Sequence, residues 1–428
     1  MNTLVPEDFR GAITKPLRRF YLCTTLASAG NGLTLSLFVV YLHDVRHLSI
    51  IFATLLLAFT AIIGLVVSPL TGTLVDRVGP VTIIVPSFLV EAGALAIWAF
   101  ARHTPQIIFA DVLLTVFGGA TWGPGSTLMS RLVSDEHRQR AFGINFMLVN
   151  LGIGFGGLVS AAIVDLHHPF SFTVLYLVNA LVCVLIALLF LTLWRHGRPS
   201  KVPHDNPAAR VEGWREVLHD RRIVHYIIAS LVMMIGGYGS QEAGFSIFVV
   251  HNLHLPVHVI GLMFFFNTST IVVAQLFILN RIHGRSRTRV MASAGVLWSI
   301  FWLILFLSLK MPAVMAVISI CVAMVIFAVG ETMMSPVGPA LVNEIAPEHL
   351  RGRYNATAGL TWGLSSTLAP SITAFFFSEN WGSYWPLFIG CAALVGSLMM
   401  LTLRRSLSAR EDGTEPASPP SLPPFVAG

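Results

Sequence analysis

The sequence predicts an all-α, polytopic membrane protein in which twelve transmembrane helices form two six-helix, pseudo-symmetric bundles. Of its 428 residues, 55% are hydrophobic and only 11% are charged, whereas soluble proteins carry about 25% charged residues. The apolar residues fall in successive runs of about 20 or more, which is the length that a helix needs to cross the hydrocarbon core. Only helices and closed barrels satisfy their backbone groups there, and runs this long indicate helices.

Polar breaks separate the apolar spans, with six spans before and six after a polar middle segment. Numbered one to twelve, they cover residues 20–42, 50–75, 81–101, 106–133, 141–164, 170–194, 223–250, 257–279, 290–309, 312–343, 354–377 and 384–403. We therefore expect an N-terminal bundle at 1–194, a linker with a short interfacial helix at 195–222 and a C-terminal bundle at 223–403. The proline-rich remainder, 404–428, has little apolar content and is expected to be disordered.

The positions of Lys and Arg predict the orientation in the membrane, because cytoplasmic loops retain positive charge during insertion. Placing both termini in the cytoplasm leaves only Arg46, Arg102 and Lys310 on the outer side. The net charge of +6 then reflects topology, and no nucleic-acid partner is needed to explain it. A multi-pass protein of the cell (cytoplasmic) membrane is expected, with the lipid bilayer as its surroundings.

Metal, cofactor and nucleotide sites find no support in the sequence. The four cysteines lie inside apolar runs without CxxC spacing, so neither a disulfide framework nor a zinc site is indicated. His251, His254 and His258 lie beside Pro256, which suggests a loop rather than a helix that would bring the imidazoles together. No phosphate-binding or nucleophile motif appears, so we expect no cofactor and no enzymatic activity.

An internal repeat supports the division into two homologous halves. Pro124 in span four and Pro336 in span ten are each followed, twelve residues later, by a Glu-His pair, at 136–137 and 348–349. Repeats of this kind are typical of transport proteins that are built from two similar bundles.

The loop after span two carries the most specific motif, since residues 72–79 read GTLVDRVG. This motif resembles the signature G-x-x-x-D-R-x-G-R-[RK] of the major facilitator superfamily, although Pro80 and Val81 replace the basic pair. With the repeat, the resemblance covers nearly the whole chain and implies the major facilitator fold. The glycines are expected to allow a close backbone approach and a tight turn, and the Asp-Arg pair to form contacts across helix ends in one conformational state. The gating candidates are Gly72, Asp76, Arg77 and Gly79.

Within the superfamily, the span layout and the loop at residues 135–143 are most similar to the twelve-span drug:proton antiporters. The span-five motif of those antiporters, G-x-x-x-G-P-x-x-G-G, is matched in its first glycines, but Gly157 replaces the proline. The arginine typical of their span four is also missing. Gly152, Gly156 and Gly157 are hinge candidates, and close helix packing is the alternative role.

Four acidic residues inside the spans are candidates for proton coupling: Glu91, Asp111, Glu242 and Glu331. A charge at mid-membrane costs roughly 3 kcal/mol, and such residues usually face a cavity. No Lys or Arg lies deep in any span, so these carboxyl groups are expected to bind and release protons. The alternatives are a hydrogen-bonded structural role for Glu91 and simple hydration of Asp111 near the outer surface.

Polar and aromatic residues at mid-span extend the predicted substrate cavity, although each has a simpler alternative as an interhelical hydrogen bond or a lipid-facing ring. These cavity candidates are Asn31, Trp122, Asn150, Tyr238, Gln241, Asn267, Gln275 and Trp362.

The resemblance implies secondary active transport by alternating access. The favoured hypothesis is proton-coupled efflux of small amphipathic organic molecules by a monomer, with the solute and protons as its partners. A symporter or facilitator of a metabolite or lipid-like substrate is the alternative among carriers. A non-transporting membrane scaffold is the alternative of another class.

Overall fold

The computed structural model describes residues 11, 13–34, 42, 46, 48, 50–164, 168, 170–197, 207–256 and 258–415. These residues form twelve long helices, which are α1 Lys15–Thr34, α2 Ile50–Val78, α3 Pro80–Phe100, α4 Thr104–Leu132, α5 Arg138–Ile163, α6 Phe170–Leu191, α7 Arg221–Asn252, α8 His258–Ile282, α9 Arg287–Ser308, α10 Ala313–Ile345, α11 Arg351–Ser378 and α12 Trp385–Leu403. A linker helix, Pro207–His219, precedes α7. The predicted all-α fold is confirmed.

Within the described ranges, nine helices, α3 to α10 and α12, are long and apolar enough to cross a membrane. Several helices continue beyond the apolar runs that predicted them. The first span was expected at 20–42, but α1 already begins at Lys15, and residues 35–41 of that span lie outside the described residues. Charged residues are favourable at such helix ends because they reach water beyond the hydrocarbon region.

The two halves use the same helix pairings. In the N-terminal half, α1 packs on α5 and α6, while α3 packs on α4 and α6. In the C-terminal half, α7 packs on α11 and α12, while α9 packs on α10 and α12. Each pairing therefore recurs six helices later, as expected for two copies of one bundle.

The halves meet through symmetric pairs as well, because α2 packs along α11 and α5 packs along α8. We call the end that holds the α2–α3, α4–α5, α8–α9 and α10–α11 loops the basic end, since Arg77, Arg138, Arg281 and Arg353 lie there. The linker helix covers this end, where the indole Nε1 of Trp214 donates to the Thr73 hydroxyl at 2.7 Å.

The tail differs from the prediction of disorder at 404–428. Residues 404–406 form a 3₁₀ turn, and the chain then closes a compact loop in which Gly413 adopts a φ of 75°. Asp412 within this loop is only 3% exposed. Disorder was expected because the segment has little apolar content. The segment is instead held in place by hydrogen bonds to a buried carboxylate, which composition does not reveal. Residues 416–428 lie outside the described residues.

Candidate functional site

Helix α7 is interrupted in the middle of the C-terminal half. Its α-helical parts, Arg221–Met234 and Ser240–Ile247, are joined by a π-helical turn at Ile235–Gly239. Gly237 in this turn departs from helical geometry, with φ −117° and ψ −108°. The Gly236 carbonyl is satisfied by the Trp302 indole, whose Nε1 donates to it at 2.6 Å. Wide turns of this type are frequently found at functional sites.

Glycines in and opposite this turn allow the indole of Trp298 to approach. A Cβ at Gly237 would lie 2.4 Å from Trp298 Cε3, and a Cβ at Gly330 would lie 2.6 Å from its Nε1. The same Nε1 donates to the Phe327 carbonyl at 3.2 Å. The backbones of α7 and α10 thus enclose a fully buried tryptophan from α9.

The acidic residue at the centre of this half is Glu331 on α10, which is 5% exposed. Asn267 Nδ2 on α8 donates to its Oε2 at 2.5 Å, and the Tyr238 hydroxyl on α7 lies near the same carboxylate. Glu242 lies close enough for the two negative charges to repel each other. Within the described residues, no Lys or Arg pairs with either acid.

Aromatic rings form one wall beside these acids. The Tyr238 ring centroid lies 5.1 Å from that of Trp362 and 5.5 Å from that of Trp298. Trp298 in turn stacks on Phe327 at 5.4 Å. Trp362 is 45% exposed and so leaves part of its surface free for another molecule. We call the group Tyr238, Glu242, Asn267, Glu331 and Trp362 the acidic–aromatic site.

Two further cavity candidates lie next to this site. Gln275 Nε2 donates to the carbonyl of Thr332, the residue after Glu331, at 3.2 Å, while its Oε1 is buried without a hydrogen-bond partner among the described residues. Gln241 is 6% exposed, whereas its neighbour Glu242 is exposed. The sequence prediction missed Trp298 and Phe327, because nothing in their local pattern separates them from other aromatic residues of a membrane helix.

The two remaining acids lie in the N-terminal half, away from the acidic–aromatic site. Glu91 on α3 faces α4, where a Cβ at Gly118 would lie 3.8 Å from its Cδ. Its Oε1 has no hydrogen-bond partner among the described residues. Asp111 on α4 is 4% exposed, so the alternative that it is simply hydrated does not fit.

The N-terminal cavity candidates do not converge on one polar group. Asn150 Nδ2 donates to the Phe146 carbonyl of its own helix at 3.0 Å. Asn31 is exposed on α1, and Trp122 on α4 is 75% exposed. These three side chains therefore do not form a second polar site comparable to the acidic–aromatic site.

The glycines of α5 lie in two different environments. A Cβ at Gly152 would lie 2.6 Å from the Thr25 carbonyl oxygen, and one at Gly156 would lie 2.1 Å from the Ala29 carbonyl oxygen. Gly157 has nothing within 4 Å of the same position. Gly152 and Gly156 therefore permit the close packing of α1 on α5, while α5 itself continues unbroken from Arg138 to Ile163.

At the basic end, the gating candidates join the two halves. Asp76 at the end of α2 accepts the backbone N–H groups of Gly352 at 2.7 Å and Arg353 at 3.2 Å. Its carboxylate also lies 3.9 Å from Arg353 Nε in a buried ion pair. The positive end of the α11 dipole faces this carboxylate, which is a favourable arrangement.

The neighbouring positions of the motif have separate roles. Gly72 makes room for α11, since a Cβ there would lie 2.4 Å from the Ala356 Cβ. Gly79 has a φ of 84° and turns the chain from α2 into α3, which a residue with a side chain would disfavour. Arg77 is half-buried, and its Nε has no hydrogen-bond partner among the described residues.

Further polar contacts across the halves were not predicted from the sequence. Arg138 at the start of α5 pairs with Glu344 near the end of α10 at 2.9 Å. Asn355 on α11 accepts from the Ser126 hydroxyl of the other half at 2.9 Å, and within its own half it donates to Asn343 Oδ1 at 3.0 Å. Such pairs form only because segments that are distant along the chain meet in the fold. In the sequence, the feature that could have pointed to them is their position beside the repeated Glu-His loops.

Comparison with known proteins identifies relatives over most of the chain. The family model described as Major Facilitator Superfamily matches residues 20–249 and 243–427. A Na(+), Li(+), K(+)/H(+) antiporter of Planococcus maritimus is 23% identical over 362 residues, spanning 76% of this chain and 82% of that protein. The multidrug resistance protein MdtH of Salmonella typhimurium is 28% identical over 158 residues, which is 37% of each chain.

Solved structures show the same fold. A bacterial homologue of the iron transporter ferroportin, solved in an outward-facing state, superposes with a TM-score of 0.74 at 14% identity. The match covers 92% of this chain and 100% of that one.

Proposed function

Because the chain belongs to the Major Facilitator Superfamily, whose members are membrane transporters and not enzymes, we propose that it exports small amphipathic organic molecules in exchange for protons. In this proposal the basic end faces the cytoplasm, as the distribution of Lys and Arg suggests. The solute and the proton would meet at the acidic–aromatic site, and the two halves would rock about it.

The observation that carries the proposal is the environment of Glu331. This carboxyl group is 5% exposed, is held by Asn267 at 2.5 Å and has no cationic partner within the described residues. A buried carboxylate without a cation is costly when charged, so its affinity for a proton changes with access to water and with the charge of a bound solute. Such a group is suited to couple proton binding to a change of conformation.

The aromatic wall supports the choice of solute. Trp362 offers a partly exposed ring next to Tyr238, and Glu242 supplies a negative charge on the same helix as Tyr238. An aromatic face next to a carboxylate attracts an organic cation through both the ring quadrupole and the charge. The similarity to a multidrug resistance protein agrees with this chemistry.

In the proposed cycle, the contact between Asp76 and the start of α11 would keep the basic end closed. Its two hydrogen bonds to the start of α11 join the halves at the basic end, so breaking them is one requirement for opening that end. A proton or a cation that neutralises Glu331 changes the electrostatic energy of the C-terminal half, and this difference would shift the balance between the two states.

The experiment is substrate-dependent proton movement in proteoliposomes that contain a pH-sensitive dye. Ethidium, an amphipathic organic cation, is added to vesicles with an imposed pH gradient, and dissipation of the gradient is followed. Glu331→Gln should abolish the ethidium-dependent change, because the amide cannot exchange a proton. Glu379→Gln, an exposed carboxylate at the end of α11, is the matched control and should behave like the unaltered chain.

Ethidium-dependent proton movement that persists in Glu331→Gln would contradict the assignment of this residue. A chain that transports ethidium down its gradient without any proton movement would instead be a facilitator.

A second candidate function is favoured by one finding, the similarity to a monovalent cation/proton antiporter over 82% of that protein. In this alternative, Na⁺, Li⁺ or K⁺ competes with the proton at the same carboxyl groups. Addition of these salts to the vesicles, without an organic solute, would then dissipate the pH gradient, and Glu331→Gln would again abolish the effect.

A further inference from the structure

The tail segment after α12, residues 407–415, is folded onto the basic end and contacts both halves of the molecule. Its backbone closes on itself, with Asp412 N donating to the Ser408 carbonyl at 3.0 Å and Thr414 N donating to the Ala409 carbonyl at 2.9 Å. Gly413 adopts the positive φ that this turn requires. We call residues 407–415 the tail loop.

A built carboxylate site at the start of α9 holds the tail loop. The Asp412 carboxylate accepts from the Ser286 hydroxyl at 2.5 Å and from both the backbone N–H and the hydroxyl of Thr288 at 2.9 Å. Arg404 Nε lies 3.3 Å away and completes the site. Because Asp412 is only 3% exposed, this contact resembles a bound ligand more than a surface ion pair.

A second anchor comes from the residue before it. Glu411 pairs with Arg222 Nη1 at 2.5 Å, at the start of α7. Its carbonyl accepts from Arg287 Nη1 at 2.7 Å, and the Arg287 backbone N–H donates to the Asp412 carbonyl at 2.7 Å. The tail loop is therefore attached to two helices of the C-terminal half.

From these anchors, the Arg410 side chain of the tail loop reaches the other half of the molecule. Arg410 Nη2 pairs with Asp135 of the α4–α5 loop at 2.9 Å, and its Nε lies 3.9 Å from Glu344. Asp135 and Glu344 are also the two partners of Arg138, at 2.5 and 2.9 Å. The two arginines and two acids thus form one network that crosses between the halves.

We propose that the tail loop is an intramolecular ligand of the α9 carboxylate site, and that it holds the basic end closed through Arg410. The inference rests on the proposed alternating access, because a latch between the halves has a function only if they separate. Asp412 fixes the loop to the C-terminal half, and Arg410 then supplies a cation that keeps Asp135 and Glu344 together. Release of the loop removes that cation and favours separation at this end.

The experiment measures distance rather than transport, so it is independent of the identity of the solute and of proton coupling. Spin labels are placed at His196→Cys in the N-terminal half and Arg281→Cys in the C-terminal half, both exposed at the basic end. The background carries Ser at Cys321 and Cys391, since the other two cysteines are buried. The distance distribution between the labels is recorded in proteoliposomes by double electron–electron resonance.

Two chain lengths provide the matched comparison. A chain that ends after Glu415 keeps the tail loop and should reproduce the distribution of the full chain. A chain that ends after Ser406 lacks it, and the ratio of short to long distances should fall about fivefold, as expected for the loss of a charge network at a partly exposed surface. Identical distributions in the two shortened chains would overturn the proposal.

A single substitution in the full chain tests the same contact in case the shorter chain fails to fold. Arg410→Gln removes only a half-exposed cation and leaves the Asp412 anchor in place, so it should shift the distribution in the same direction. Arg405→Gln, which changes another exposed arginine of the same tail, should leave it unchanged. A shift with Arg405→Gln equal to that with Arg410→Gln would also reject the latch, because it would indicate a general effect of charge. Failure of the ethidium experiment with a normal distance shift would contradict the proposed solute and leave the latch intact.

Discussion

The carboxylate of Asp76 accepts the backbone N–H of Gly352 at 2.7 Å, so a side chain from one half of the molecule caps a helix that belongs to the other half. The two glycines at this contact are necessary for it. A Cβ at Gly352 would lie 2.5 Å from Asp76 Oδ1, and a Cβ at Gly72 would lie 2.9 Å from the Gly352 carbonyl oxygen. Closure of the basic end therefore depends on the charge of the Asp76 side chain and on the absence of a side chain at the two glycines.

Asp76→Asn should weaken this closure without changing the shape of the side chain. The amide keeps an acceptor oxygen but loses the charge that faces the helix dipole, which contributes about 1 kcal/mol or somewhat more in a buried setting. Alkylation of Ser130→Cys, a position that is 1% exposed at the same end, should become about fivefold faster. Glu136→Gln, an exposed acid of the α4–α5 loop, serves as control, and an unchanged rate in Asp76→Asn would contradict the role of the contact.

Gly156→Ala and Gly157→Ala should have opposite effects on thermal stability in detergent. The first places a methyl group against the Ala29 carbonyl, and such overpacking costs about 1–3 kcal/mol. The second enters open space, so only the gain in helix propensity, up to about 1 kcal/mol, remains. Similar destabilisation by both substitutions would argue against close packing as the cause. Loss of transport in a stable Gly157→Ala chain would instead favour the hinge role.

Trp302→Phe should destabilise the C-terminal half although the ring is replaced by another ring. It removes the indole Nε1 that donates to the Gly236 carbonyl at 2.6 Å, and a buried acceptor left without a donor costs about 1–3 kcal/mol. Unfolding temperatures measured in detergent check this. Trp381→Phe, at an exposed position, should produce little change, and equal effects of the two substitutions would show that the hydrogen bond is not the reason.

Asp220→Asn should lower stability at neutral pH and have a smaller effect in acid. Burial alone would raise the pKa of Asp220, but hydrogen bonds from Arg222 and Tyr354 outweigh it and hold the pKa below its usual range. A group with a lowered pKa in the folded protein stabilises it above the pKa of the unfolded chain, about 3.9, and this contribution is lost as pH falls through the folded value. The substitution should lower the midpoint by about 2–4 °C at pH 7, and the difference should begin to shrink as the pH falls below about 4.

The corresponding control is Glu415→Gln, which removes the charge of an exposed side chain and should leave the midpoint unchanged. A difference between Asp220→Asn and the unaltered chain that does not become smaller as the pH is lowered below about 4 would contradict the assigned hydrogen bonds.

The helices were predictable because hydrocarbon thickness and the backbone's need for hydrogen bonds leave few options. Glu331, Asn267 and Tyr238 were predictable for a related reason, since polar groups are rare in such spans. Trp298 was not predictable, because the chain contains 9 Trp and 29 Phe residues with similar surroundings in the sequence. The glycines that pack against Trp298 distinguish it, and these are seen only in the fold. Contacts such as Arg138 with Glu344 depend on the register between segments that are distant along the chain.

The wide turns of α7 also affect how this helix can be compared with those of relatives. A π-helical turn holds one residue more than an α-helical one, and a single added residue rotates every later side chain by about 100° around the axis. Ser240–Ile247 lies between two such turns, Ile235–Gly239 and Phe248–Asn252. A helical wheel drawn through the whole segment therefore misplaces Glu242, because Gly237 departs from helical geometry before it. Comparison with an uninterrupted helix is therefore made separately for Arg221–Met234 and Ser240–Ile247.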